Sequence, residues 1–284
     1  MITVVIPVRN RAAIVARTLD SIAAQTLAPD AVVLVDNAST DNTLAVLHGW
    51  AESRPSVEVV EELRPGAARA RNAGLERVKS PYVMFFDSDD VMPRRHIEQV
   101  TAGLKCAGLP DVGAFDMELV GVDGVKSMKP FRRGDAMKMH IFHSTLSTQR
   151  CVVSTELARR VGGWNNNLGG WDDLEFGVRL LAAGPSLSYL PLTEPVMAIA
   201  QVESITGVDF SSKAGEWERA LDACEEVLRH TPYRRMIDYR RAILAGMYRR
   251  EGHAELGHGL ARGFRMKLIE RYVAMGGRGV AYLA

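Results

Sequence analysis

Cysteine is scarce in this chain: Cys106, Cys151 and Cys224 are the only three in 284 residues, odd in number and far apart. That count and spacing argue against a disulfide framework and lead us to expect a reducing compartment. Long apolar runs are lacking as well, and no stretch reaches the roughly 20 residues that a bilayer-spanning helix needs. The opening Met1-Ile2-Thr3-Val4-Val5-Ile6-Pro7 has neither the basic flank nor the length of a secretory signal, so a cytoplasmic protein is expected. Charge of one sign is missing too: 35 Lys and Arg face 34 Asp and Glu, which removes any overall pull towards nucleic acid. No Gly-x-Ser-x-Gly occurs, so a nucleophile-elbow hydrolase finds no support. His140, His143 and Cys151 have the wrong spacing for structural zinc. Gly276-Gly277-Arg278-Gly279 follows no strand and does not read as a phosphate loop.

What is present is an alternation of buried strands and helices. Ile2 to Ile6 is a β-branched run stopped by Pro7, and residues 11–26 carry Ile14, Val15, Leu19 and Ile22 at helical spacing. Ala31 to Val35 predicts a second strand ending at Asp36-Asn37, with Ser39 or Thr40 capping a helix to about Glu52. Val57 to Val60 is a third strand and 66–78 a third helix. Tyr82-Val83-Met84-Phe85-Phe86 is a fourth strand, and it runs straight into Asp87-Ser88-Asp89-Asp90. Such alternation implies right-handed crossovers and a mostly parallel α/β sheet. Ligands of open α/β sheets bind outside the carboxyl ends of the strands. Pro7-Val8-Arg9, Asp36 and Asp87 to Asp89 should therefore open onto one edge. Asp-x-Asp there offers hard oxygen ligands to Mg²⁺ or Mn²⁺; the plainer alternative is an acidic turn that starts the next helix.

Further on, a helix is expected at about 93–107, one strand over Asp111 to Val120, and loops over the basic, Met-rich 125–148. Arg150 to Val153 reads as a short strand and Glu156 to Val161 as a helix ended by Gly162-Gly163. Trp171-Asp172-Asp173 leads a helix stopped by Gly184-Pro185, and Leu187 to Leu190 and Val196 to Ala200 are late strands. From about 214 the pattern is helical. Between Arg229 and Arg278 stand twelve Lys or Arg against four acidic residues, interleaved with apolar ones. Adhesion to anionic lipid on the inner face of a membrane is one reading of these helices; a solvated face packed on the rest of the chain is the other.

Five segments together resemble an inverting family-two glycosyltransferase with the GT-A fold. They are Val4-Val5-Ile6-Pro7-Val8-Arg9-Asn10-Arg11, Val35-Asp36-Asn37-Ala38-Ser39-Thr40-Asp41, Gly66 to Gly74, Phe86 to Asp90, and Gly162-Gly163-Trp164 followed by Trp171 to Phe176. The resemblance covers about 1–207, and the expected division is a GT-A catalytic domain at 1–210 with a basic helical extension at 211–284. It implies sugar transfer from a nucleotide-diphosphate donor, a UDP-sugar, to a hydroxyl of a glycan or lipid-linked acceptor.

The resemblance also implies roles. Asp36 would accept the uracil N3–H in a frame made by Pro7, Val8 and Arg9, or else belong to a capping turn. Arg71 would stand near base and diphosphate, where a guanidinium fork suits oxygen acceptors, with Arg69 able to exchange roles with it. Asp89, helped by Asp87 and next to Ser88, would hold Mn²⁺ or Mg²⁺ across the two phosphates. Asp173 would be the base that takes the acceptor's proton, with Asp172 and Trp171 on the acceptor side; Trp171 either stacks on a sugar or anchors locally. Two departures from the family stand out: Asp172 replaces a Glu, and Gln201 stands where many members carry a His. The alternatives are a non-catalytic nucleotide-sugar-binding or scaffolding protein, and a sugar nucleotidylyltransferase. The latter would want a glycine-rich basic loop after the first strand, which Pro7-Val8-Arg9-Asn10-Arg11 is not.

Overall fold

β-Branched runs at 2–6 and 31–35 become two of the inner strands of a seven-stranded sheet, where side chains on both faces are covered. The computed structural model describes residues 1–200 and 213–284; the expectation for Gln201 therefore lies outside the described residues. Among these, β1 (Ile2–Val8), β2 (Ala31–Asp36), β3 (Val57–Glu61) and β4 (Tyr82–Phe85) are parallel neighbours in the spatial order β3-β2-β1-β4. β8 (Cys151–Ser154) continues the sheet antiparallel to β4, followed by β5 (Val112–Ala114) and β9 (Leu187–Tyr189). The chain steps outwards from β1 to β2 to β3, then returns to the other side of β1 for β4. That reversal leaves a crevice between the carboxyl ends of β1 and β4. The mostly parallel sheet is as the sequence implies.

Several local readings are corrected. The first helix, α1 (Val15–Ala23), starts at Val15 rather than at 11. The backbone N–H groups of Arg11 and Ala12 are instead taken by Thr43 Oγ1 (2.9 Å) and Asp41 Oδ2 (3.2 Å), which hold 10–13 against the β2 loop. Ser39 and Thr40 do not cap α2 (Thr43–Ala51): Ser39 Oγ accepts the Asn10 N–H and the Thr40 N–H donates to Asn10 Oδ1. The single strand expected over 111–120 breaks at Phe115-Asp116. Its second half, β6 (Met117–Val120), joins a separate sheet ordered β10-β6-β7 with β7 (Lys126–Lys129) and β10 (Val196–Ile199). Asp116 causes the break by accepting from the Phe131 N–H (2.7 Å) and the Tyr189 hydroxyl (2.9 Å). The 125–148 stretch read as loops contains β7 and α5 (Ala136–His143). β7 is exposed at every residue, and α5 is short and capped by Asp135.

Contacts divide the described residues into two compact units drawn from interleaved segments. The first comprises 1–131, 146–167 and 183–200 and contains both sheets, with α3 (Ala67–Arg77), α4 (His96–Cys106) and α6 (Thr155–Arg160). Its core is built on Val4, Ile6, Leu34, Met84, Phe86 and Ile97, each at most 1% exposed. Gly74 lets α3 lie on the sheet: a Cβ there would come 2.3 Å from Val5 Cγ1. The second unit is helical: α5, α7 (Asp172–Ala182), α8 (Ala214–Leu228), α9 (Arg234–Arg250) and α10 (Gly263–Ala274) around Trp217, Leu221, Leu244 and Tyr248.

Two outcomes are expected. Gly74→Val should lower stability to urea by about 1–3 kcal/mol, because the new methyls must displace Val5 and Val35. His96 is buried against the edge of Phe115 with neither ring nitrogen hydrogen-bonded, and burial pushes its imidazole down from 6.5 to about 3. Between those values the unfolded chain binds a proton that the folded chain refuses. Stability present above the unfolded pKa is thus lost as pH falls towards the folded one. His96→Leu should flatten the fall in Tm between pH ~7 and pH ~4.5; an unchanged slope would remove His96 from the acid response.

Candidate active site

The β1 and β2 ends are locked side by side, with Val8 in register with Asp36 and the Asn37 N–H donating to the Val8 carbonyl at 2.8 Å. Asn10 and Ala38, neither of them glycine, adopt left-handed backbone at φ 51° and 52°. Asn37 fixes the floor of the loop: its amide donates to the Glu62 and Arg64 carbonyls, and its oxygen accepts the Gly66 N–H at 2.7 Å. Asp36 is only 4% exposed. Its Oδ2 accepts the Ser39 N–H (3.1 Å), while its buried Oδ1 has no partner. A buried carboxylate oxygen without a donor is costly, so this atom is suited to accept an N–H brought by a ligand. Pro7 is half-buried, Val8 buried and Arg9 exposed beside it.

On the other side of β1, the end of β4 packs carboxylates at close quarters. Arg71 of α3 is buried; its Nη2 donates to Asp87 Oδ1 at 3.0 Å, and its guanidinium lies 4.4 Å over Trp164, whose ring meets Phe85 edge-on. Arg69 instead lies half-buried near Gly66, where its charge adds to the hydrogen bonds from Arg64 that hold the Glu62 carboxyl low. Arg71 is therefore the guanidinium at Asp87. The Gln149 amide donates to both Asp87 Oδ2 and Asp90 Oδ2. Asp90 also accepts the Ile199 N–H at 2.8 Å, and the Thr18 hydroxyl bonds the carbonyls of Ser88 and Asp90. Burial first, and then the charge of Asp87, push Asp90 up to about 8. It acts as a brace for the loop. Asp89 is raised by burial and by Asp87, with Arg11 and Arg17 acting against the rise; Arg11 stands 3.8 Å from its Oδ2, and Arg17 donates to its backbone carbonyl at 2.6 Å.

Asp87 thus commits both oxygens to Arg71 and Gln149, whereas among the described residues no hydrogen bond from another side chain is taken by the Asp89 carboxylate. That donor set fits a hard divalent cation: one well-oriented carboxylate, a second braced behind it, and like charges that a cation would relieve. Among the described residues no group of three His, Cys, Asp or Glu forms a closed metal cage. Phosphate and water oxygens would have to complete the shell. The sequence reading missed Gln149, Arg11, Arg17, Trp164 and the bracing role of Asp90. Gln149 in particular stands in a stretch with no motif, far along the chain from Asp87.

In the second unit, Asp172 and Asp173 open α7, and the Asp173 carboxylate accepts the Leu174 N–H at 2.9 Å. Trp171, at φ 51°, stacks on Trp217 (5.4 Å between centroids), and the Arg240 guanidinium lies 4.5 Å from its ring centre. Burial lowers Arg240 to about 10, and the charge of Asp173 works against that fall. Asp173 therefore has a cation in its field, and Trp171 has an aromatic anchor within its own unit. Glu175, next in the helix, is tied to Arg179 by two 2.7 Å bonds.

A mostly parallel sheet whose strand ends gather acidic groups at a switch point is an α/β arrangement of the GT-A type. Residues 3–106 match the model described as glycosyl transferase family 2. The matched stretch holds Asp36, Arg71, Asp87 and Asp89 and stops before Asp173. The chain is 28% identical over 220 residues to validoxylamine A glucosyltransferase of Streptomyces hygroscopicus subsp. limoneus, covering 65% of this chain and 48% of that one. It is 25% identical to glycosyltransferase AglE of Haloferax volcanii, with 66% and 64% covered. It thus spans under two thirds of the length of these relatives. Two solved structures share the fold. TarS of S. aureus in complex with UDP-GlcNAc has TM-score 0.66 and 19% identity over 87% of this chain and 72% of that one. The mannosyltransferase PcManGT of Pyrobaculum calidifontis in complex with GDP-Man and Mn²⁺ has TM-score 0.59 and 20% identity over 99% and 82%.

Arg71→Lys keeps the charge but loses the planar fork over Trp164. It should cost about 1–2 kcal/mol in urea unfolding; no change would mean that the stack contributes nothing.

Proposed function

We propose that the chain is a metal-dependent inverting glycosyltransferase taking its sugar from a UDP-linked donor and passing it to a hydroxyl of a glycan or lipid-linked acceptor. The observation that carries this reading is the buried, partnerless Oδ1 of Asp36 at the same sheet edge as the Asp89 carboxylate. Asp36 would hold the base by its N–H, with Pro7, Val8 and Arg9 framing it. Arg71 would act chiefly by fixing Asp87, and Ser88 by keeping the loop backbone in place. Asp89, with Asp87 behind it, would hold Mn²⁺ or Mg²⁺, which when bound offsets the charge that gathers on the leaving diphosphate. The UDP-GlcNAc complex of TarS and the GDP-Man and Mn²⁺ complex of PcManGT support a nucleotide-sugar donor and a divalent ion.

Inversion needs a carboxylate opposite the leaving group to take the acceptor hydroxyl's proton. We assign that role to Asp173, with Asp172 and Trp171 serving the acceptor; Asp173 opens α7, and its charge acts on Arg240. In terms of role, 1–210 is then the catalytic segment and 211–284 its helical extension.

Release of free UDP from UDP-sugars with Mn²⁺ should occur in wild type and vanish in Asp89→Ala; binding of every donor without turnover in wild type would overturn the enzyme reading. Asp36→Asn should weaken UDP binding by about tenfold or more while leaving the fold intact, since it loses a charged acceptor. Unchanged UDP affinity would displace Asp36 from the base site. Asp173→Asn should keep donor affinity and lose transfer by about 10²-fold or more; normal transfer would mean that another group is the base.

A further inference from the structure

Helix α10 carries two apolar faces. Ile269 and Val273, at 5% and 6% exposure, point into the core of the helical unit. A close fit holds this face in place, since a Cβ on Gly246 of α9 would lie 2.6 Å from the Glu270 carbonyl. About a third of a turn away, Phe264, Leu268 and Tyr272 stand at i, i+4 and i+8, with Met275 just past the helix end at i+11, a single stripe at 3.6 residues per turn. They are 80%, 48%, 44% and 81% exposed. The Arg265 guanidinium donates to the Leu283 carbonyl at 2.7 Å, which brings Tyr282 and Leu283, 87% and 53% exposed, beside the start of the stripe. Scattered exposed apolar residues need no account, but a contiguous row of large ones does.

The charges beside the row are of one sign. Lys267 and Arg271 flank it on one side and Arg265 on the other, all exposed. The helix's one acid, Glu270, lies away from the stripe, 15% exposed and bound to Arg249 at 2.6 Å. Among the described residues no carboxylate pairs with Lys267, Arg271 or Arg278. Beside the start of α10 opens a cleft of about 540 Å³ whose charged lining is Arg249, Arg262, Lys267 and Arg271 against Glu270, with His258 at its edge. No helix among the described residues is long and apolar enough to cross a membrane.

We propose that this face of α10 is a docking surface for an anionic lipid bilayer: Phe264, Leu268, Tyr272 and Met275 enter the interface, while Lys267, Arg271 and the basic cleft meet headgroup phosphates. An apolar stripe flanked only by cations is what a helix lying in a lipid interface requires. The polar, mixed-charge rim of a protein partner would supply acids as well. The inference stands on the helical unit alone and does not depend on the transferase reading.

Flotation of the full chain with vesicles tests it. Wild type should rise with phosphatidylcholine vesicles containing about 30% phosphatidylglycerol, not with phosphatidylcholine alone, and high salt should release it. The pair Phe264→Ser and Met275→Ser should lower partitioning by about tenfold or more, and Lys267→Gln with Arg271→Gln should do so too. All four side chains are exposed, so thermal melts should match wild type. Phe264→Trp gives a second readout: its added fluorescence should be quenched by brominated lipid in anionic vesicles. Failure of wild type to float, flotation unchanged in both double variants, or no quenching at position 264 would overturn the proposal. So would a dimer in light scattering that Phe264→Ser dissolves while lipid binding is absent, since a second copy would then be what covers the stripe.

Discussion

The account rests on carboxylates crowded at the end of one strand. Asp87, Asp89 and Asp90 follow β4 within five residues, and their mutual repulsion adds to burial in raising Asp89 and Asp90. Such a loop would spread apart in the absence of compensation. The compensation is specific: Arg71 on Asp87, Gln149 across Asp87 and Asp90, the Ile199 N–H on Asp90, and the Thr18 hydroxyl on two backbone carbonyls. What those donors leave uncovered is Asp89. The fold therefore leaves negative charge at one carboxylate that only Arg11 and Arg17 offset from a distance, at the edge where ligands of such sheets bind.

The position of that charge follows from strand order. Because the chain reverses direction of travel at β1, the ends of β1 and β4 have no crossover helix between them, and Asp36 of β2 lies one strand away. Asp36 keeps one oxygen buried and unpaired, a penalty that an N–H donor on a bound ligand would remove. On the proposed reading a base at one end and a diphosphate at the other would span this edge, beside the left-handed Asn10 and Ala38.

Much of this edge is legible in the amino-acid sequence, because strand ends are marked by abrupt changes from β-branched runs to polar residues. Ile2 to Pro7, Ala31 to Asp36 and Tyr82 to Asp87 each show such a change. The break inside 111–120 is hidden because Phe115 and Met117 keep the apolar pattern alive across Asp116, whose bonds to Phe131 and Tyr189 come from distant segments. β7 is invisible for the opposite reason, since all its side chains are exposed and no alternation is needed. Gln149 is a single amide whose importance depends on two carboxylates about sixty residues away, a relation that no local pattern encodes. Arg71 is told from Arg69 only by the helix phase that turns one towards Asp87 and the other towards Glu62. The outer face of α10 is legible as a basic, apolar tail but not as a stripe; the burial of Ile269 and Val273 fixes which side faces out.

The most direct test of the central claim is an anomalous difference map from a crystal soaked with UDP and Mn²⁺. The account predicts one strong manganese peak in bonding range of the Asp89 carboxylate and of the UDP phosphates, with the uracil N3–H on Asp36 Oδ1. Manganese bound elsewhere, or UDP seated away from the ends of β1, β2 and β4, would contradict it.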